Sequence, residues 1–126
     1  MNFETLLIDQ DKRGVVSLTL NRPEKRNALS ARMIDELTSF TSSLTPDIRA
    51  VVIQGAGELF CAGGDLEWMN AQISADRQTR IAEARKLALM LKALNEIPVP
   101  LIAKVHGAAY GGGVGLACVC DFVISS

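Results

Sequence analysis

The sequence predicts an α/β layered fold whose sheet is parallel after its first hairpin. Three observations carry that prediction. Short runs rich in Val, Ile and Leu recur along the chain. The first two are separated only by a turn, whereas later ones are separated by segments with helical apolar spacing. Glycine-rich stretches follow two of the later runs. A hairpin followed by repeated helix–strand steps needs crossover connections, and these place strands in parallel.

Leu6 to Asp9 and Val15 to Leu20 are read as strands, with hairpin-turn chemistry between them at Gln10-Asp11-Lys12-Arg13-Gly14. In the second strand Ser17 and Thr19 alternate with apolar residues. Asn21-Arg22-Pro23 breaks it, and a polar loop runs to Asn27. Ser30 is placed to cap a helix whose apolar face is Met33, Ile34, Leu37 and Phe40. Pro46-Asp47 turns the chain into a third strand, Ala50 to Gln54. After a glycine- and alanine-rich loop, Ser74 or Asp76 can begin a long helix ending near Asn95. Its predicted face is Ile81, Ala84, Leu87, Ala88, Leu91 and Leu94, and Pro98 and Pro100 stop it. Leu101 to Val105 is a fourth strand, followed by a short helix and a fifth strand, Phe122 to Ile124.

The 126 residues suffice for one small domain, and 48% are hydrophobic, which excludes disorder. Thirteen basic and fourteen acidic side chains give a net charge of −1, so no electrostatic footprint for nucleic acid is expected. The start MNFETLLIDQ lacks the basic opening of a signal or transit peptide. No apolar run is long enough for a bilayer, and no membrane partner is expected. A cytoplasmic protein is expected. Cys118 and Cys120 are too close for a zinc knuckle, so no metal is expected and the three cysteines are read as reduced core filler. The chain ends on an apolar strand, which suggests the front part of a longer protein.

Gly111 to Gly113, with Gly115 following, fall where the short helix begins. Free N–H groups in a first helical turn, uncovered by side chains, can approach a polarised oxygen. The stretch Leu59-Phe60-Cys61-Ala62-Gly63-Gly64-Asp65-Leu66 has the same character, and both loops leave the C-terminal ends of strands, the edge at which open parallel sheets bind ligands. One N–H from each loop would make an oxyanion hole. Dinucleotide, phosphate-loop and nucleophile-elbow patterns are absent. His106, the only histidine, has no identifiable acid partner and is read as a hydrogen-bonded loop residue.

Three blocks, LNRPEKRNALS (Leu20–Ser30), LFCAGGDLEWM (Leu59–Met69) and PLIAKVHGAAYGGGVGLACVCDFVIS (Pro100–Ser125), give the chain a resemblance to the N-terminal part of the enoyl-CoA hydratase/isomerase, or crotonase, family. The finer likeness is to methylglutaconyl-CoA hydratase-like members. The resemblance implies a ClpP/crotonase-like fold of spiralling β-β-α units, with residues 1–126 forming the N-terminal part of a single domain. It implies an acyl-CoA substrate, no cofactor beyond the coenzyme A of that substrate, and assembly as homo-trimers or hexamers. By motif position it assigns the oxyanion-hole N–H groups to Ala62 and Gly112. It runs coenzyme A past Lys25, Arg26 and Ala28, and rests the adenine near the backbone of Ala62, Gly63, Gly64, Asp65 and Leu66.

The sequence also departs from the family pattern. Hydratases of the family use two glutamates, the first three residues beyond the oxyanion-hole glycine. Here that residue is Gly115, which cannot move a proton. The second would lie beyond Ser126. Glu67 and Tyr110 are neighbours of the site, the first as a candidate acid, the second as a lining of the acyl pocket. The expectations are therefore hydration of a 2-enoyl-CoA, isomerisation, or silent acyl-CoA binding. The 126-residue chain alone is expected to show no appreciable hydratase turnover.

Overall fold

The structure, a computed structural model, describes residues 2–126. Its strands are β1 (Leu6–Gln10), β2 (Val15–Leu20), β3 (Ala50–Gly55), β4 (Leu101–Val105) and β5 (Phe122–Ser125), and they lie side by side in chain order. β1 runs antiparallel to β2, and every later pair is parallel. The helices are α1 (Ala31–Ser42), α2 (Leu66–Ser74), α3 (Arg77–Asn95) and α4 (Gly112–Cys118).

Register explains the core. Val16, Val51 and Leu101 are successive partners across the sheet, and Leu18, Ile53 and Ala103 form the next row. Partners in register project from the same face, and all six are buried. Helix α1 covers this face with Met33, Ile34, Leu37 and Phe40, as its spacing predicts. Ser30 accepts the Met33 N–H at 3.2 Å and caps the helix. Burial of each such side chain stabilises by roughly 1.5–3 kcal/mol. Glu36 is buried on the same helix. Its carboxylate accepts from the Glu4 and Thr5 N–H groups and from the Thr5 hydroxyl, fastening the start of β1 to α1.

Three expectations need correction. The loop after β2 contains a short 3-10 turn, Pro23–Lys25. The segment after the third strand holds two helices, because Ser74 ends α2 while Asp76 caps α3 through the Thr79 N–H. The predicted face of α3 is only half right: Leu94 is buried and Leu87 and Leu91 pack on the core, but Ile81, Ala84 and Ala88 are exposed and the fully buried residue is Met90. Nineteen residues of helix span about 28 Å, beyond the reach of strands about 17 Å long. The last turns of α3 therefore pack and the first ones overhang. Among the described residues no helix is long and apolar enough to cross a membrane.

Candidate functional site

Because β2, β3 and β4 are parallel, the segments leaving them, residues 21–29, 56–65 and 106–111, gather at one edge of the sheet. Their mutual placement is set by a buried polar network that sequence reasoning missed. Asn27 is fully buried with φ +56, in the left-handed region where asparagine is one of the few tolerated side chains. Its Oδ1 accepts the Arg22 N–H at 2.9 Å, and its Nδ2 donates to the carbonyls of Ala56 and Leu59 at 2.8 and 3.0 Å. The Arg22 guanidinium donates to the Ala28 carbonyl at 2.6 Å and to Asp65 Oδ2 at 3.1 Å. Asp65 Oδ1 accepts the Trp68 N–H and so caps α2. Burial alone would raise the Asp65 carboxyl, but the Trp68 N–H and the Arg22 guanidinium outweigh it and hold the group below the usual carboxylate range. The ion pair joins residues 43 apart, and no local signal announces it.

Two bridges then align the loops. Cys61 pairs with Ala109 and Leu29 with Gly64, both in parallel. The Cys61 carbonyl accepts the Tyr110 N–H at 3.0 Å, so the Cys61 backbone faces the segment before α4. One residue on, the backbone faces the other way, and the Ala62 N–H donates to the Arg26 carbonyl at 3.0 Å. Gly63, at φ +95, breaks this alternation. Its carbonyl accepts from Leu29 at 2.7 Å and the Asp65 N–H donates back to the Leu29 carbonyl at 2.9 Å. In a parallel bridge of that form the intervening residue, Gly64, directs its own N–H away from Leu29, toward the side that carries Tyr110 to Gly112.

The expected donor pair is corrected accordingly. The Ala62 N–H is already satisfied within the chain. Among the described residues neither the Gly64 nor the Gly112 N–H has an acceptor. Gly112 opens α4, where no intrahelical acceptor exists for it. The two segments are in contact: a Cβ on Gly63 would lie 2.9 Å from the Tyr110 carbonyl oxygen and 3.6 Å from the Gly112 nitrogen.

Of the residues expected along coenzyme A, Lys25, Arg26, Ala28, Ala62, Gly64, Asp65 and Leu66 line a single cleft of about 420 Å³, together with Glu24, Glu67 and Met69. Gly63 is buried beside it and Gly112 lies across the Gly63 contact. Lys25 and Arg26 are exposed at the cleft, as phosphate-facing cations would be. Tyr110 is 60% exposed and contributes nothing to the core.

Other candidate groups are accounted for by the fold. His106 Nε2 lies 2.8 Å from the Gly57 carbonyl, a loop contact as expected. The Asp121 carboxylate accepts the Leu101 N–H and fixes the start of β4. Cys61 is core, and burial pushes its thiol up. The Cys120 thiol donates to the Leu116 carbonyl and is pushed up to about 12, by burial first and then by Asp121 and Cys118. Cys118 is exposed, contrary to the core role expected of it. Among the described residues no group of three His, Cys, Asp or Glu side chains is placed to hold a metal ion.

Comparison with known proteins identifies the family and the fold. Residues 10–126 match the family model described as enoyl-CoA hydratase/isomerase. The chain is 39% identical over 130 residues to a probable enoyl-CoA hydratase of Mycobacterium bovis, a match covering 100% of this chain and 48% of that protein. It is 35% identical over 130 residues to the mitochondrial Delta(3,5)-Delta(2,4)-dienoyl-CoA isomerase of Mus musculus, covering 95% of this chain and 40% of that protein. The crystal structure of an enoyl-CoA hydratase from Mycobacterium smegmatis superposes with a TM-score of 0.91 at 39% identity, over 97% of this chain and 48% of that one. The chain thus spans about half the length of the relatives it matches.

Proposed function

Because this chain belongs to the enoyl-CoA hydratase/isomerase family of enzymes and has the crotonase fold, we propose that it binds a coenzyme A thioester and steadies negative charge on the thioester carbonyl oxygen. The observation that carries the proposal is the pair of backbone donors, Gly64 N–H and Gly112 N–H, that have no acceptor among the described residues and lie on segments that touch. A carbonyl oxygen held between them gains charge as a proton leaves the α-carbon. Donors already in place do not reorganise as that happens, and one such donor is worth about 10²–10³ in rate. The coenzyme A portion follows the cleft past Ala28 and Asp65, and Lys25 and Arg26 meet its phosphates. The substrate is an acyl-CoA, and no further cofactor is part of the proposal.

The reaction itself also requires a proton carrier, worth about 10²–10⁴ in rate. Gly115, one helical turn beyond Gly112, carries no such group; the carboxylates that line the cleft are Glu24, Asp65 and Glu67, of which Asp65 is taken up by Arg22 and the α2 cap. We therefore assign to this chain thioester binding and enolate stabilisation. Hydration of a methylglutaconyl-like 2-enoyl-CoA, or isomerisation, then depends on a carboxylate outside these residues. The bare Gly115 is the observation behind a further reading, a silent acyl-CoA binder. Self-association as trimers or hexamers belongs to the same proposal: Phe122, Val123 and Ile124 of the edge strand β5 are all more than half exposed. A monodisperse monomer by light scattering would remove it.

The decisive experiment compares crotonyl-CoA with its thioether analogue, which lacks the carbonyl, in titrations followed by amide NMR. The thioester is expected to bind more tightly and to move the Gly64 and Gly112 amide protons downfield, leaving Ala62 in place. Equal affinity for both ligands, or a response at Ala62 in place of Gly64, overturns the assignment.

A further inference from the structure

A single residue touches both donor segments. Leu29 ends the loop that leaves β2 and is fully buried. Its main chain brackets Gly64: the Leu29 N–H donates to the Gly63 carbonyl at 2.7 Å, and the Leu29 carbonyl accepts the Asp65 N–H at 2.9 Å. Both neighbours of Gly64 are thereby tied, which fixes the direction of its own N–H. The Leu29 side chain reaches the other donor. A Cβ on Gly112 would lie 2.7 Å from Leu29 Cδ1, and beyond the adjoining backbone no other heavy atom of the described residues comes within 4 Å of it. Leu29 therefore stands where a side chain at 112 would begin. Glycine at this position is required by Leu29 before any ligand is considered.

The second observation is how little else holds the start of α4. The helix follows Gly111, at φ +50, and no side chain caps it. The Gly112 N–H has no acceptor among the described residues. The next close approach is at Gly113, where a Cβ would lie 2.5 Å from the Cys61 carbonyl oxygen. The Gly112 N–H is thus located by packing and not by a polar contact of its own, and the atom that packs on its residue is Leu29 Cδ1.

We infer that Leu29 is the positioning residue of the thioester site: its main chain aims the Gly64 N–H, and its Cδ1 sets where the Gly112 N–H stands relative to it. The inference rests on the thioester site proposed above. Being buried, Leu29 acts through the donors and not on the ligand. Two donors serve one oxygen only when both distance and angle are right, and a hydrogen bond weakens steeply as the angle closes. Withdrawing Cδ1 leaves a space into which the surroundings relax in part. The first turn of α4 borders that space, so the Gly112 N–H moves off the shared point while Gly64, held by main-chain bonds, stays.

The test is calorimetric titration of the 126-residue protein with crotonyl-CoA and its thioether analogue, read as the ratio of their affinities. Leu29→Ala should lower the preference for the thioester by up to about tenfold, the scale of one hydrogen bond, and abolish the downfield response of the Gly112 amide while Gly64 still responds. Leu29→Met, which keeps volume and reach, should retain both. Leu37→Ala truncates an equally buried leucine on the core face of α1; it should lower stability and keep the ratio. Leu29→Val also withdraws Cδ1 and decides the matter should the alanine variant not fold, with far-ultraviolet circular dichroism as the check. A ratio unchanged in the Leu29 variants, or lowered as much by Leu37→Ala, overturns the positioning role.

The contact is also read without ligand. Gly112→Ala should lower the urea midpoint of the wild type and have much less effect in Leu29→Ala, where its Cβ enters the vacated space. Additive losses overturn the contact. If the wild type binds thioester and thioether alike, the thioester reading fails; if it prefers the thioester and the ratio ignores residue 29, the positioning role alone fails.

Discussion

The two walls of the proposed site are built by opposite means. The wall along the coenzyme A cleft is held by buried polar groups that join distant segments, Arg22 to Asp65 and Asn27 to Ala56 and Leu59, with Asn27 also bonded to Arg22 within its own loop. The side of the site at Gly112 is a short glycine-rich helix with no side-chain cap and little polar fastening. A portion common to all substrates is best served by a rigid surface whose donors need no reorganisation. The glycine helix, without such fastening, takes its place from packing against Leu29 and Cys61. Substitutions in the first wall should therefore register as lost stability, and loss of the Leu29 packing at Gly112 as lost preference for the thioester.

The largest expected effect tests the polar wall. Arg22→Met leaves Asp65 buried without its cation, a loss of about 3 kcal/mol in urea unfolding. Asp65→Asn added to it should recover part of that loss. Full additivity of the two would show that the pair is not coupled. Acid should reveal the same link. A carboxyl held low in the folded chain adds stability above its unfolded value, about 3.9 for aspartate, and that stability drains as the pH falls through the folded value. Asp65 is held low. In Arg22→Met the Arg22 contribution is gone and burial acts with less opposition, so the folded value moves up toward the unfolded one and the stability lost on acidification should be smaller than in the wild type. Coincident profiles of urea midpoint against pH would break the assignment.

The next effect belongs to the junction of the walls. Gly113→Ala sets a Cβ 2.5 Å from the Cys61 carbonyl oxygen, a backbone atom that cannot swing aside. About 1–3 kcal/mol of destabilisation is expected from such overpacking, together with loss of the Gly112 amide response to thioester. A smaller effect, about 1 kcal/mol, is expected of Ser30→Ala, which removes the α1 cap outside both walls. It should leave the ratio of thioester to thioether affinity unchanged.

How far these features were legible in the sequence follows from the range of the interactions behind them. Strands β1 to β5, the Ser30 and Asp76 caps and the loops that meet at the site all have local signals in alternation, periodicity and turn chemistry. The Arg22–Asp65 and Asn27–Ala56–Leu59 contacts have none, because their partners lie 29 to 43 residues apart on different loops. The unpaired N–H of this loop, expected at Ala62, lies at Gly64 for a related reason. Which of Ala62 and Gly64 keeps a free N–H depends on Gly63 breaking the backbone alternation, and on Arg26 presenting its carbonyl from a left-handed conformation. Neither is encoded by spacing. The face of α3 was misread because periodicity defines an apolar stripe without saying what covers it.

The smallest effect is the sharpest for the comparison, because its sign differs. At Gly115 the helix accepts a Cβ with only ordinary contacts from Leu91. Replacing glycine by alanine inside a helix gains up to about 1 kcal/mol, reduced here because α4 is only seven residues long. Gly115→Ala should therefore raise the urea midpoint slightly while Gly113→Ala, two residues away on the same helix, lowers it. If both variants destabilise alike, Gly115 is held by packing as Gly113 is. If Gly115→Ala stabilises and keeps the preference for the thioester, the second wall is set where α4 begins, at Gly112 and Gly113, and not along its length.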